Sequence, residues 1–267
     1  MKNNIFEVDV KGLRQLQSGK PKWFIVRELL QNAMDEDITQ CTIYMRYEYG
    51  KAYVTVEDDS PIGFRDLTDA YTLFKDTYKR TDVKKRGRFN FGEKQVLCLA
   101  DNARIISTTG GVEFDILKGK RTTLRKKREK GSEIYVIIKM SKEDYNECCT
   151  YCNDILVPKD IRIILSIDGN EQQLIYKNPH KTFSAKLITE IKEDDKMKNV
   201  TRETEVNIHL KNNNISYIYE MGIPICEIDC NYSIDVQQKV PLSNDRDKVD
   251  SKYLKTIYGE VLNQVID

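Results

Sequence analysis

Residues 21–37 carry two faces of opposite character. At about 100° per residue in a helix, Glu28, Asn32 and Asp35 fall on one stripe, while Trp23, Val26, Leu29, Leu30, Ala33 and Met34 fall opposite. Pro21 can open such a helix, because its missing N–H is unsatisfied there in any case. The apolar face needs a second layer to cover it. The polar face fits two readings. One is an ordinary solvated helix surface; the other is a site that presents a carboxylate, an amide and a second carboxylate together.

The segments that follow alternate between strand and helix. Thr42–Tyr47 and Ala52–Glu57 alternate β-branched and aromatic residues around Tyr49-Gly50-Lys51, which predicts a hairpin. A helix is expected near Asp66–Phe74, a basic loop over 75–91, and an apolar helix at about Gly92–Asp101. Strands are expected at 103–108, 112–117 and 132–139, then a helix over Ser141–Leu156. Val157-Pro158 ends that helix and marks an expected boundary, giving domains 1–157 and 158–267. Beyond it the signals are mainly strands, at Ile161–Ile167, Gln172–Tyr176, Phe183–Ile191 and Thr204–Leu210, before a last helix from about Ser251 to Val265.

Composition narrows the function. The 267 residues hold 43 Lys plus Arg and 42 Asp plus Glu, so near-neutrality is a cancellation and a polycation that coats nucleic acid is excluded. The cancellation is uneven. Residues 75–94 carry eight basic and three acidic side chains, and 118–130 carry eight against one. Apolar runs are too short for a membrane helix, and the N-terminus lacks an apolar signal region, so a cytoplasmic protein with no membrane partner is expected. Seven cysteines fit reduced thiols. Cys149-x-x-Cys152 with Cys226-x-x-x-Cys230 could hold zinc, or Cys148, Cys149 and Cys152 could pack as small apolar groups on one helix.

Three further motifs follow the 21–37 helix in order. Asp58-Asp59-Ser60-Pro61-Ile62-Gly63 sets a carboxylate at a strand end, four residues before a glycine when counted from Asp59. Gly87-Arg-Phe-Asn90-Phe-Gly92-Glu93-Lys94 precedes an apolar helix, where backbone N–H groups and the helix terminus favour phosphate. Gly131-Ser132 opens a strand. Each is a common pattern alone.

Together they resemble the GHKL ATPase family, which includes gyrase B, MutL, the large heat-shock chaperones and histidine kinases. The family's Glu-x-x-x-Asn-x-x-Asp box is matched by Glu28, Asn32 and Asp35. Its Asp-x-Gly-x-Gly box aligns with Asp59 to Gly63, its Gly-x-x-Gly-x-Gly lid box with Gly87 to Gly92, and its Gly-Thr with Gly131-Ser132. Pro61 and Asn90 depart from the pattern. Asn tolerates positive φ; Pro61 fixes φ and lacks an N–H, which points to an altered adenine-side turn.

The resemblance implies an α+β chain, with a Bergerat-type ATP-binding α/β sandwich (a mixed sheet covered by helices) followed by a smaller transducer-like α/β domain. It implies ATP and Mg²⁺ as ligands, with Asn32 on the metal. Asp59 would accept from the adenine amino group, with Asp58 as the alternative, and Ser132 would support it through water. Gly63 belongs to the adenine-side turn. Gly87 and Gly92 would let lid amides wrap the phosphates, with Lys94 as a phosphate contact. Glu28 would be the general base, and Asp35 either a site residue or a structural partner within the helix. Lys239 resembles the lysine that transducer domains send to the γ-phosphate, against the alternative of a solvated loop lysine.

The only histidines, His180 and His209, follow the proposed ATP domain and lack the setting of a phosphoacceptor. Slow ATP hydrolysis to ADP and phosphate is therefore expected, driving a conformational switch and an ATP-dependent homodimer. The contrasting reading is a nucleotide-dependent interaction module with little turnover. Residues 118–130 are either a solvated hairpin tip or a nucleic-acid contact.

Overall fold

The computed structural model describes residues 8–193, 196–212, 214–243 and 248–266. Arg246, which the sequence sets between Asp245 and Asp247, lies outside the described residues. Two compact units are present. The first comprises 1–75, 89–152 and 162–173, and the second 76–88, 153–161 and 174–267. The expected boundary at 157/158 falls inside the short segment 153–161, after which the chain returns to the first unit. The return is fixed by pairing: β7 (Arg162–Ile167) lies parallel to β1 (Gln40–Glu48), with Cys41 opposite Ile163.

The fold is α+β. In the first unit, β2 (Lys51–Asp58), β3 (Asn102–Ser107), β4 (Gly110–Asp115), β5 (Lys120–Leu124), β6 (Ser132–Lys139) and β8 (Asn170–Leu174) join β1 and β7 in one mixed eight-stranded sheet. The order is β5-β4-β3-β6-β2-β1-β7-β8. Strand β2 alternates strictly, with Ala52, Val54, Val56 and Asp58 turned inward, as a strand covered on one face requires. Helix α2 (Phe24–Met34) packs on β1 and β2, and against α3 (Gly92–Leu99), which also meets α1 (Val10–Ser18). Helix α4 (Lys142–Asn153) buries Tyr145, Cys148 and Cys152, with Cys152 Sγ 3.8 Å from Met45 Sδ.

The expected helix over 66–74 is instead a 3₁₀ turn at Leu67–Ala70. Asp66 caps it by accepting from Thr68 N, and the chain leaves the helical conformation at Tyr71, whose φ is −136°. Helix α1 has no counterpart among the sequence-based expectations. Its Arg14 donates to the carbonyls of Cys98 and Leu99 at 2.8 and 3.0 Å, which satisfies the open end of α3.

The second unit holds a five-stranded sheet of β9 (Lys181–Glu193), β10 (Lys196–Leu210), β11 (Tyr217–Glu220), β12 (Ile223–Glu227) and β13 (Tyr232–Val236), in the order β12-β11-β13-β10-β9. Helix α5 (Ser251–Val265) packs on β9, capped by Asp250, which accepts from the N–H groups of Lys252 and Tyr253. Among the described residues, no helix is long and apolar enough to cross a membrane.

Candidate functional site

Helix α2 is not a solvated surface helix. Its stripe is buried along with its apolar face: Glu28 is 2% exposed and Asp35 is fully buried. Asn32 is half-buried. Burying a carboxylate requires a partner, and Arg27 supplies one. Its Nε and Nη2 donate to Glu28 Oε1 at 3.2 and 3.0 Å. The guanidinium also lies over the Trp23 ring, 5.3 Å from the centroid, and Trp23 stacks on Tyr151 at 5.1 Å. The other carboxylate oxygen of Glu28 points at α3. A Cβ built on Gly92 would lie 1.8 Å from Glu28 Oε2, so the first residue of α3 must be glycine for the carboxylate to stand where it does.

A second cluster forms at the strand ends. Asp58 continues the inward alternation of β2, and its Oδ1 accepts from Ser60 N at 2.9 Å. Burial raises its pKa to about 6, against hydrogen bonds from the backbone of Ser60 and Ser132 that lower it. Gly131 holds φ +70°, and a Cβ there would meet the Asp58 carbonyl oxygen at 1.8 Å; this close approach ties β6 to the end of β2. Ser132 Oγ lies 3.1 Å from Ser107 Oγ, which accepts from Phe64 N at 2.7 Å. The turn around Gly63 is thereby pressed onto Ser107.

Asp59 faces elsewhere. It accepts from Thr39 N at 2.8 Å, Thr39 Oγ1 at 2.6 Å and Gln40 N at 2.9 Å, stapling the end of β2 to the start of β1. These bonds bring its pKa down to about 2 despite partial burial. Counting to Gly63 favours Asp59, whereas the period-2 pattern of Ala52, Val54 and Val56 already selects Asp58 for the covered face. That parity was the available sequence signal.

A third group surrounds the start of α3. Asn90 takes φ +49°, the left-handed conformation expected where the lid box has glycine. Its Nδ2 donates to the Thr72 carbonyl at 3.0 Å. Lys94, 5% exposed, donates to the Asp69 carbonyl and to Asn90 Oδ1 at 2.8 Å, so the 3₁₀ turn, Asn90 and α3 are bound together. Gly87 belongs to the segment 76–88, which groups with the second unit.

Lys239 also lies in the second unit and is fully buried, so it is not a solvated loop lysine. Its Nζ donates to the Lys79 carbonyl at 2.7 Å. Along 118–130, strand β5 is the sheet's edge and its basic side chains are exposed. Arg128 pairs with Glu57 at 3.3 Å, and Lys130 with Asp59 at 3.5 Å. Among the described residues, no three His, Cys, Asp or Glu side chains converge as a metal cluster.

No family model and no curated protein matches the sequence. The fold does match solved structures. One is the crystal structure of the N-terminal domain of a DNA repair protein, with a TM-score of 0.53 over 94% of this chain and 98% of that one. Identity is 13%, so the likeness is one of fold.

Proposed function

We propose that this chain is a GHKL-type, Mg²⁺-dependent ATPase whose nucleotide cycle drives a conformational and dimerisation switch. The observation that carries the reading is the packing of Glu28 against Gly92. Two motifs more than sixty residues apart in the chain meet as a carboxylate aimed at the N-terminus of a helix. A helix N-terminus that begins on glycine favours phosphate, and a carboxylate beside it is positioned for general-base work on water.

The remaining residues fit such a ligand. Asp58 is a buried acceptor suited to an exocyclic amine, and we take it, rather than Asp59, as the adenine-binding carboxylate, supported by Ser132. Asn32 offers a hard amide oxygen for Mg²⁺, and Mg·ATP would supply the transferable γ-phosphoryl group. Asp35, at zero exposure, serves as a structural partner of α2. Gly63 and Gly92 give their turns close approach, Gly87 serves the lid, and Lys239 is required for turnover.

A second reading keeps nucleotide binding but little hydrolysis. It is favoured by Lys94, whose ammonium is engaged by the Asp69 carbonyl and Asn90. Association with nucleic acid through 118–130 is supported by the exposed basic edge strand, and the DNA-repair description of the similar structure points the same way.

The test compares wild type with Glu28→Ala for ATP binding, phosphate release and size in a non-hydrolysable ATP analogue. The reading expects wild type to turn over ATP, and Glu28→Ala to bind and dimerise without turnover. A wild-type protein that binds no ATP overturns it; one that binds but releases no phosphate favours the second reading.

A further inference from the structure

The segment 76–88 is rich in cations, yet two of its arginines, Arg86 and Arg88, are withdrawn from water. Arg88 is 3% exposed and spends its donors on five acceptors. Nη1 and Nη2 donate to Glu220 Oε1 and Oε2 at 3.1 and 3.0 Å, a two-pronged pair in which Glu220 is itself 1% exposed. Nε donates to Glu190 Oε2 at 3.1 Å. Nη2 also reaches the Val240 carbonyl at 2.7 Å, and Nη1 the Arg86 carbonyl at 3.2 Å.

These contacts surround Lys239. The Val240 carbonyl is held by Arg88, and Val240 N donates to Glu220 Oε2 at 3.4 Å. The Lys239 carbonyl accepts from Thr189 Oγ1 at 2.9 Å, and its N–H donates to the Val83 carbonyl at 3.0 Å. At the tip, Nζ donates to the carbonyls of Lys79 and Arg80 at 2.7 and 3.4 Å. Lys239 therefore bonds the segment 76–88 at both its backbone and its ammonium, and Arg88 closes the same ring from the segment's far end. Only a guanidinium offers enough fixed donors for this; a lysine is a single point charge on a flexible stem.

We propose that Arg88 is the positioning residue for Lys239: it fixes the backbone that carries the lysine and pins 76–88 to the same frame, so that segment and lysine move as one body. The consequence for turnover rests on the ATP-hydrolysing reading; the mechanical coupling does not.

The experiment therefore has two arms. Amide hydrogen exchange on the full chain without nucleotide compares wild type with Arg88→Lys, which keeps the charge and loses the fork. Exchange at the Lys239 and Val240 amides should rise about tenfold or more, with the β9–β10 ladder unchanged. Unchanged exchange at those two amides overturns the proposal. In the kinetic arm, Arg88→Lys should lower kcat about tenfold with KM within about twofold, and adding Lys239→Met should cost nothing beyond Lys239→Met alone. Additive losses overturn it. If wild type does not hydrolyse ATP, the proposed function fails and the exchange arm alone decides the coupling. If Arg88→Lys does not fold, Glu190→Gln, at the more exposed end of the cluster, takes its place. A rise of about threefold at the same amides is then expected, and no rise overturns the proposal.

Discussion

Glu28 Oε2 occupies the space in which a side chain at Gly92 would begin, 1.8 Å from the position of its Cβ. The two residues therefore cannot vary independently. Gly92→Ala should force the carboxylate aside, costing about 1–3 kcal/mol of stability by overpacking and about 100-fold in turnover if Glu28 is the base. Urea denaturation and phosphate release measure the two effects separately. Turnover that survives Gly92→Ala would remove Glu28 from the chemistry.

Arg27 and Glu28 form a buried pair with side chains 4% and 2% exposed. Removing one partner deprives the other buried charge of this ion pair. Arg27→Met should destabilise by about 3–5 kcal/mol, more than the substitution of an exposed arginine would. The midpoint and slope of urea unfolding report this directly, and a loss below about 1 kcal/mol would mean that the pair is hydrated.

Asp58 and Asp59 should respond oppositely to pH. The Asp58 pKa is raised to about 6 by burial, so the folded state holds a proton that the unfolded chain has already lost. Its contribution falls as pH rises from about 4 to about 6. Asp59 is depressed to about 2, so its contribution is present above the unfolded value near 4 and is lost as pH falls toward 2. Asp58→Asn should flatten the first slope and weaken ATP binding; Asp59→Asn should flatten the second and leave ATP affinity within about twofold. Stability against pH for each variant, with ATP titrations, separates them.

If 118–130 contacts nucleic acid, binding must be strongly salt-dependent. Reversing Lys120, Arg121, Lys126 and Lys127, all exposed, should reduce the slope of log K against log salt by up to about 3.6. Arg128 and Lys130 already face carboxylates and should matter less. Duplex binding measured at several salt concentrations tests this, and an unchanged slope would assign the segment to solvation.

Much of this was legible in the sequence, for identifiable reasons. Helix α2 was legible because its 3.6-residue period runs through both faces, and the β1–β2 hairpin because alternation brackets Tyr49-Gly50. The α+β class followed from the resemblance that the four motifs carry. Helix α1 was not legible, since Val10, Leu13 and Leu16 are diluted by polar neighbours and its Arg14 is anchored by carbonyls over eighty residues away. Strands β11 and β12, four and five residues long, are fixed by pairing with each other and, for β11, with β13. Choosing between Asp58 and Asp59 required the facing of the strand, which spacing to a glycine does not encode.

The exposed cations of β5 have a consequence for handling the protein. Strand β5 is the sheet's terminal strand, so one side of its backbone can accept another strand. Lys120 and Arg121 make that docking repulsive between copies. Variants that merely neutralise these side chains would remove a guard against self-association along with any contact to phosphate, and would aggregate for reasons unrelated to ligand binding. Charge reversal keeps the edge repulsive, and is the substitution that leaves solubility and recognition separable.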